Sequence, residues 1–202
     1  MRVTFYDLET TDLGGNFGRL LCCSFIDLDS DEVTTFRRDR RPWKGTKLTA
    51  DNRLAVAIRD RLEEADIIVG WNSLLFDAPF LNARLAAVDE RPLRVGEKHG
   101  SRHLDMMWYA GGQSMRLHGK GLDKVAKFFH ADNKKTPLTP EVWADAASGE
   151  PAAMQEVVDH CEADVRVTKD VFPHLAPHIK KFTFTLSEVW PFLDQIPSRT
   201  HA

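Results

Sequence analysis

Three cysteines among 202 residues, two of them adjacent at Cys22 and Cys23, are too few for a disulfide framework. Their scarcity suits a reducing interior, so a cytoplasmic protein is expected, with buried packing as the role of all three thiols. Nowhere does the chain approach the roughly 20 consecutive apolar residues that a membrane-spanning helix needs, and no membrane association is expected. The opening Met1-Arg2-Val3-Thr4-Phe5 leads straight into a strand pattern and has no export-signal layout. An excess of positive charge is missing as well: 27 Lys and Arg face 30 Asp and Glu, for a net charge of -3. The molecule as a whole therefore does not advertise polyanion binding. That balance excludes little, because a protein that gathers cations in a carboxylate cluster can still meet phosphates through a local basic strip. Arg37, Arg38, Arg40, Arg41 and Lys44, followed by Lys47, form one such strip, which an exposed hairpin edge would equally explain. Internal repeats and low-complexity tracts are absent too.

What is present is ordinary globular material, 43% hydrophobic and 28% charged, at a length that supports one well-packed core. The opening run and residues 19–26 read as strands, 27–31 as a turn and 32–38 as the antiparallel return, which together make a three-stranded meander. Leu54, Ala55, Ile58 and Leu62 recur at helical spacing and predict a helix over 52–64, with Asp51 near its cap. Residues 66–70 are a short apolar inner strand. Phe80, Leu81, Leu85 and Val88 mark a second helix, with Asp77 and Pro79 just before or inside its first turn. A short strand is expected around 102–106 and a helix on the stripe Leu122, Val125, Ala126 and Phe129; residues 140–147 fit a short helix or an irregular connection. The strongest late helix starts near Pro151 and runs toward Phe172, with Pro173 as its stop. This order predicts an α/β fold with a mixed central sheet, the antiparallel meander continued by parallel strands and flanked by helices. Residues 181–202 are set apart as a C-terminal extension to a domain of residues 1–180, because Phe182, Phe184 and Leu186 alternate while Pro191 and Pro197 interrupt.

Chemistry concentrates in three places. On an extended chain Asp7 and Glu9, two apart, project to the same face, and two adjacent carboxylates invite a hard divalent cation. Asn72 and Asp77 lie in the segment joining an inner strand to a helix, where ligands of parallel sheets gather, although a turn asparagine and a capping aspartate would look the same. On the late helix, Met154, Val158, Cys161, Val165 and Phe172 fall in one apolar sector; His160 and Asp164, four apart, stack on its flank, and Glu162 points away toward water.

Phe5-Tyr6-Asp7-Leu8-Glu9-Thr10-Thr11, Asn72-Ser73-Leu74-Leu75-Phe76-Asp77 and His160-Cys161-Glu162-Ala163-Asp164 resemble, in order, the three exonuclease motifs of the DEDD superfamily. These are ribonuclease H-like 3′–5′ exonucleases and include DNA polymerase proofreading domains. The resemblance spans residues 3 to about 172. His103-Leu104-Asp105-Met106-Met107 and Leu122-Asp123-Lys124-Val125-Ala126 are similar to segments between the second and third motifs in family B polymerase exonuclease domains. The last motif departs from the usual pattern, which carries tyrosine four residues before the acid or histidine five before it. Here His160 stands four before Asp164, a histidine in the tyrosine-type place.

The resemblance implies a ribonuclease H-like fold and two magnesium or manganese ions held by Asp7, Glu9, Asp77 and Asp164. Asp7 would bridge the ions, Glu9 and Asp164 would complete one site, and Asp77 would support the second, partly through water. His160 joins the four acids as a catalytic residue, its neutral imidazole able to take a proton from water near pH 7. Thr10, Thr11 and Leu13 would meet the terminal sugar and base. Trp71 and Phe76 offer stacking surfaces, although a core aromatic would look the same, and Asn72 joins them as a substrate-binding residue; His118, Lys120, Lys124, Lys134 and Lys135 are available to phosphates without their spacing requiring it. The expected activity is release of nucleoside monophosphates from the 3′ end of single-stranded DNA, with RNA open and a polymerase or replication or repair partner in view. A non-catalytic nucleic-acid-binding module of the same fold and a ribonuclease H-like endonuclease are the rival readings.

Overall fold

The computed structural model describes residues 1–45, 47, 50–94, 102–112, 115–133 and 137–179; Lys134, Lys135 and the extension expected over 181–202 lie outside them. Five strands, β1 (Val3–Thr10), β2 (Leu20–Asp27), β3 (Val33–Arg37), β4 (Ile67–Gly70) and β5 (Arg102–Asp105), form one sheet in the order β3-β2-β1-β4-β5. The pairs β1–β2 and β2–β3 are antiparallel, whereas β1–β4 and β4–β5 are parallel. The meander and its parallel continuation are therefore as the sequence predicts. β1 lies in the middle of the sheet and is buried on both sides except at Asp7, which is half-buried.

Parity along β1 decides what each face packs against. Val3 and Phe5 enter a cluster with Val165, Val171 and Phe172, while Tyr6 and Leu8 enter another with Leu54, Ile58, Phe80 and Leu81. The first face is covered by α6 (Pro151–Leu175), with α3 (Met106–Gly111), α4 (Leu122–Phe128) and α5 (Pro140–Ser148) beside it; the second is covered by α1 (Asn52–Glu63) and α2 (Asp77–Ala86). The adjacent cysteines split in the same way: Cys22 joins the cluster that contains Cys161, Cys23 faces the α1 and α2 side, and all three thiols are buried.

Four expectations are corrected in detail. Helix α6 runs through Pro173 to Leu175, because a proline two residues from the end removes a single amide and the burial of Phe172 and Leu175 holds the last turn. Val88 lies past the end of α2 and is exposed. Asp51 occupies the cap position of α1 without bonding its amides; instead its carboxylate accepts Leu20 N–H at 2.9 Å and a bidentate pair from Arg84 at 2.9 and 3.0 Å. Glu162 does not face open water: it accepts the Thr35 hydroxyl at 2.7 Å and ties α6 to β3.

Candidate active site

Asp7 and Glu9 leave β1 on the face covered by α6, as their spacing dictates, close to the carboxyl end of the strand. Carboxylate oxygens of both and the Cys161 sulfur lie within 4.8 Å of one another. The proximity of Cys161 comes from a strap between elements, since its Sγ donates to the Asp7 carbonyl at 3.3 Å. Burial pushes that thiol well above its usual pKa, so at neutral pH it is a weak partner for a hard cation.

The other two acids stand around this nucleus rather than inside it. Asp77, the first residue of α2, is buried and accepts the Leu8 N–H at 3.0 Å, which pins it to the strand carrying Asp7 and Glu9. Burial raises its pKa to about 7, and the charges of Asp105 and Asp164 add to the rise. Asp164 is buried on α6, one turn beyond His160. The His160 Nε2 lies 3.6 Å from Glu9 Oε1 and 3.9 Å from Asp164 Oδ2, so it stands between the strand acid and the helix acid. Trp143 of α5 meets the imidazole edge-on, with centroids 5.9 Å apart.

Two residues that the sequence did not single out as site residues organise the second acid. Asp105 caps α3 by accepting Met107 N–H at 3.1 Å, and the same carboxylate accepts Asn72 N–H at 2.9 Å and Leu74 N–H at 3.1 Å. It thereby fixes the turn that leads to Asp77. His103 bridges Tyr6 Oη at 3.1 Å and Ser73 Oγ at 2.8 Å, and burial lowers its pKa to about 4, so it stays neutral. Gly70 permits this close packing, because a Cβ there would lie 2.4 Å from Ser73 Oγ. An aspartate just before a short helix was the available signal for Asp105; nothing local marks His103.

The expected substrate contacts divide. Leu13 is 86% exposed on the loop after β1, and Thr11 is half-buried, its hydroxyl accepting Arg19 N–H at 3.0 Å. Thr10 is buried and donates to the Asp12 carbonyl at 2.7 Å. Asn72 adopts φ 61°, the left-handed turn conformation that asparagine tolerates. Trp71 is half-buried and donates its indole N–H to the Lys120 carbonyl at 3.0 Å, so it braces the loop. Phe76 packs against Phe80 with centroids 5.8 Å apart. In the basic strip, Arg37 and Arg38 are buried and structural: Arg37 pairs with Asp39 and Gln155, and Arg38 donates to the carbonyls of Ala146 and Ala147. His118, Lys120 and Lys124 are exposed.

A central strand bearing acids, met by an acid at a helix start and a His-Asp pair on a long helix, defines a carboxylate-rich site on a ribonuclease H-like sheet. A family model of the RNase H superfamily matches residues 4–176, and the chain belongs to that superfamily. Its fold is similar to that of the family B DNA polymerase from the hyperthermophilic archaeon Pyrobaculum calidifontis, with a TM-score of 0.69 and 23% identity over 88% of this chain. The match covers 25% of that polymerase, so the chain corresponds to about a quarter of its length. No curated protein matches the sequence. Among the described residues, no helix is long and apolar enough to cross a membrane.

Proposed function

We propose that the protein is a metal-dependent 3′–5′ exonuclease that acts on single-stranded DNA and releases nucleoside monophosphates. One observation carries the reading: Asp7 and Glu9 converge on the α6 face of β1, and His160 reaches from Glu9 to Asp164. Crowded carboxylates repel one another without a counter-charge, and Asp77, raised to about 7 mainly by burial and further by the charges of Asp105 and Asp164, would gain from a cation as well. The donor set is carboxylate oxygen, which suits magnesium or manganese better than softer ions. Asp7, Glu9, Asp77 and Asp164 would hold two such ions. When bound, a pair of divalent ions supplies activation of the attacking water and stabilisation of the leaving 3′ oxygen.

The chain's own groups do the rest. His160, with Nε2 3.6 Å from Glu9 and its ring packed edge-on against Trp143, would take a proton from the attacking water. Leu8 N–H and Asp105 hold Asp77 and its turn in place as the substrate enters. The exposed loop after β1, with Leu13 at its surface, is available to the terminal nucleotide. A polymerase or another replication or repair protein would be its partner.

A time course on 5′-labelled DNA and RNA with magnesium, manganese or chelator tests the reading. Single-nucleotide shortening from the 3′ end, lost with chelator and faster on DNA, is expected, together with a melting temperature raised by either ion. Cleavage of circular single-stranded DNA would point to an endonuclease instead. Tight binding without hydrolysis would leave a binding module.

A further inference from the structure

We infer that a basic cleft on the α1 side of the sheet, at the end where β1 stops, built by Arg41, Lys44 and Arg53, binds backbone phosphates of the strand whose 3′ end enters the site. Arg41, Pro42, Lys44, Gly45 and Arg53 line a cleft of about 670 Å³ at the junction of the β3–α1 loop and the start of α1. Its place follows from register. Glu9 pairs with Cys22 and Cys22 with Arg37, so the three residues form one row across β1, β2 and β3. At ~4.8 Å per strand, the end of β3 lies roughly 10 Å from the backbone of Glu9. The loop bearing Arg41 and Lys44 starts from that row, at the end of the sheet where β1 ends; Phe36, Trp43 and α1 put the cleft on the face opposite to Asp7 and Glu9, so the strand would pass around that end of the sheet.

The side chains that line the cleft carry charge of one sign only. Arg53 sits in the first turn of α1, and that turn contains no acidic residue. A helix start carries the positive end of the backbone dipole, so a cation there is destabilising and an anion is welcome. Of the nearby acids among the described residues, Asp51 is 2% exposed and turned inward to Arg84 and Leu20 N–H, and Asp39 is taken up by Arg37. Arg53 reaches the Lys44 carbonyl at 3.5 Å, which draws the two basic residues to the same space. Trp43 stacks on Phe36, centroids 4.4 Å apart, and fixes the loop between Arg41 and Lys44. Three cations and a helix start around one opening, on a chain of net charge -3, make a local complement to a polyanion.

The identity of the strand rests on the nuclease reading, and the test separates the two. The variant Arg41→Gln/Lys44→Gln/Arg53→Gln is compared with the unmodified chain in two assays. One is anisotropy of fluorescent oligo-dT of about 4, 8 and 16 nucleotides in EDTA, across a salt series. The other is magnesium-dependent hydrolysis of the p-nitrophenyl ester of thymidine 5′-monophosphate, which occupies the acids alone. The 16-mer should bind at least tenfold more weakly, and its log–log salt slope should drop by about 2, at ~0.7 for each phosphate no longer neutralised. The shortest oligomer and the ester should be unaffected. An unchanged slope and affinity for the 16-mer overturns the inference, and equal weakening at every length overturns the strand assignment in favour of a nucleotide site. If the unmodified chain hydrolyses neither DNA nor ester, the exonuclease reading falls, while binding in EDTA still decides the cleft. Should the triple variant melt early, Lys44→Gln alone decides the same question through a slope change of about 0.7.

Discussion

Asp77 on α2 and Leu8 on β1 are joined by a 3.0 Å hydrogen bond in which the strand amide donates to the carboxylate. The bond lowers the pKa of Asp77, but burial outweighs it and leaves the group at about 7. The strand therefore holds in place an acid that resists ionisation at neutral pH.

A pH dependence follows. A carboxyl group raised in the folded state favours folding fully below its unfolded pKa of about 3.9, and this contribution is lost as pH rises through about 7. Over that window the metal-free protein should lose up to about 4 kcal/mol from this group. Asp77→Asn keeps an oxygen for Leu8 N–H and removes the titration. In EDTA the variant should melt several degrees above the unmodified chain at pH 8, and the gap should shrink to roughly a third of that at pH 5. Melting curves across pH 5–8.5 check this, and a constant gap would refute it. Activity with magnesium should be almost lost in the same variant.

His160 should carry a proton-transfer role separable from metal binding. His160→Ala is expected to lower turnover by ~10²–10³-fold, in the range of a positioned general base. Ion affinity, read by calorimetry, should change little, because the carboxylates remain. Near-normal turnover over pH 6–9 would remove His160 from the reaction.

How far the sequence reaches differs from residue to residue. Asp7 and Glu9 were readable because strand parity is a local rule, and His160 and Asp164 because helical spacing is another. The mixed sheet followed from the order of periodic segments. Asp51 misled because an aspartate before a helix carries the same local signal whether it caps that helix or binds Arg84, 33 residues away. Arg37 and Arg38 looked like surface charge since neither Gln155 nor the Ala146 carbonyl is near them in sequence. Cys161 was legible as core, but its bond to the Asp7 carbonyl depends on how α6 docks on β1.

Asp105 should act on the site without touching substrate. Removing it orphans the amides of Asn72, Leu74 and Met107 at once, at a cost of roughly 1–3 kcal/mol for each that stays buried and unsatisfied. Asp105→Ala should thus destabilise the fold by about 2–4 kcal/mol in urea titration and slow turnover through misplacement of Asp77. Asp105→Asn, which retains an acceptor oxygen, should recover part of both. If Asp105→Ala loses stability but keeps full turnover, the turn does not position Asp77.

Cys161 gives the opposite expectation. Its thiol is buried with a raised pKa and bonds a carbonyl, so it contributes packing and a strap rather than a metal ligand. Cys161→Ala should cost about 1–2 kcal/mol through a small cavity and one lost hydrogen bond. Magnesium-dependent turnover should stay within about threefold, since on the proposed reading the ligands are the four acids and the proton acceptor is His160, all left intact. Tighter manganese than magnesium binding that vanishes in this variant would instead place the sulfur on the ion.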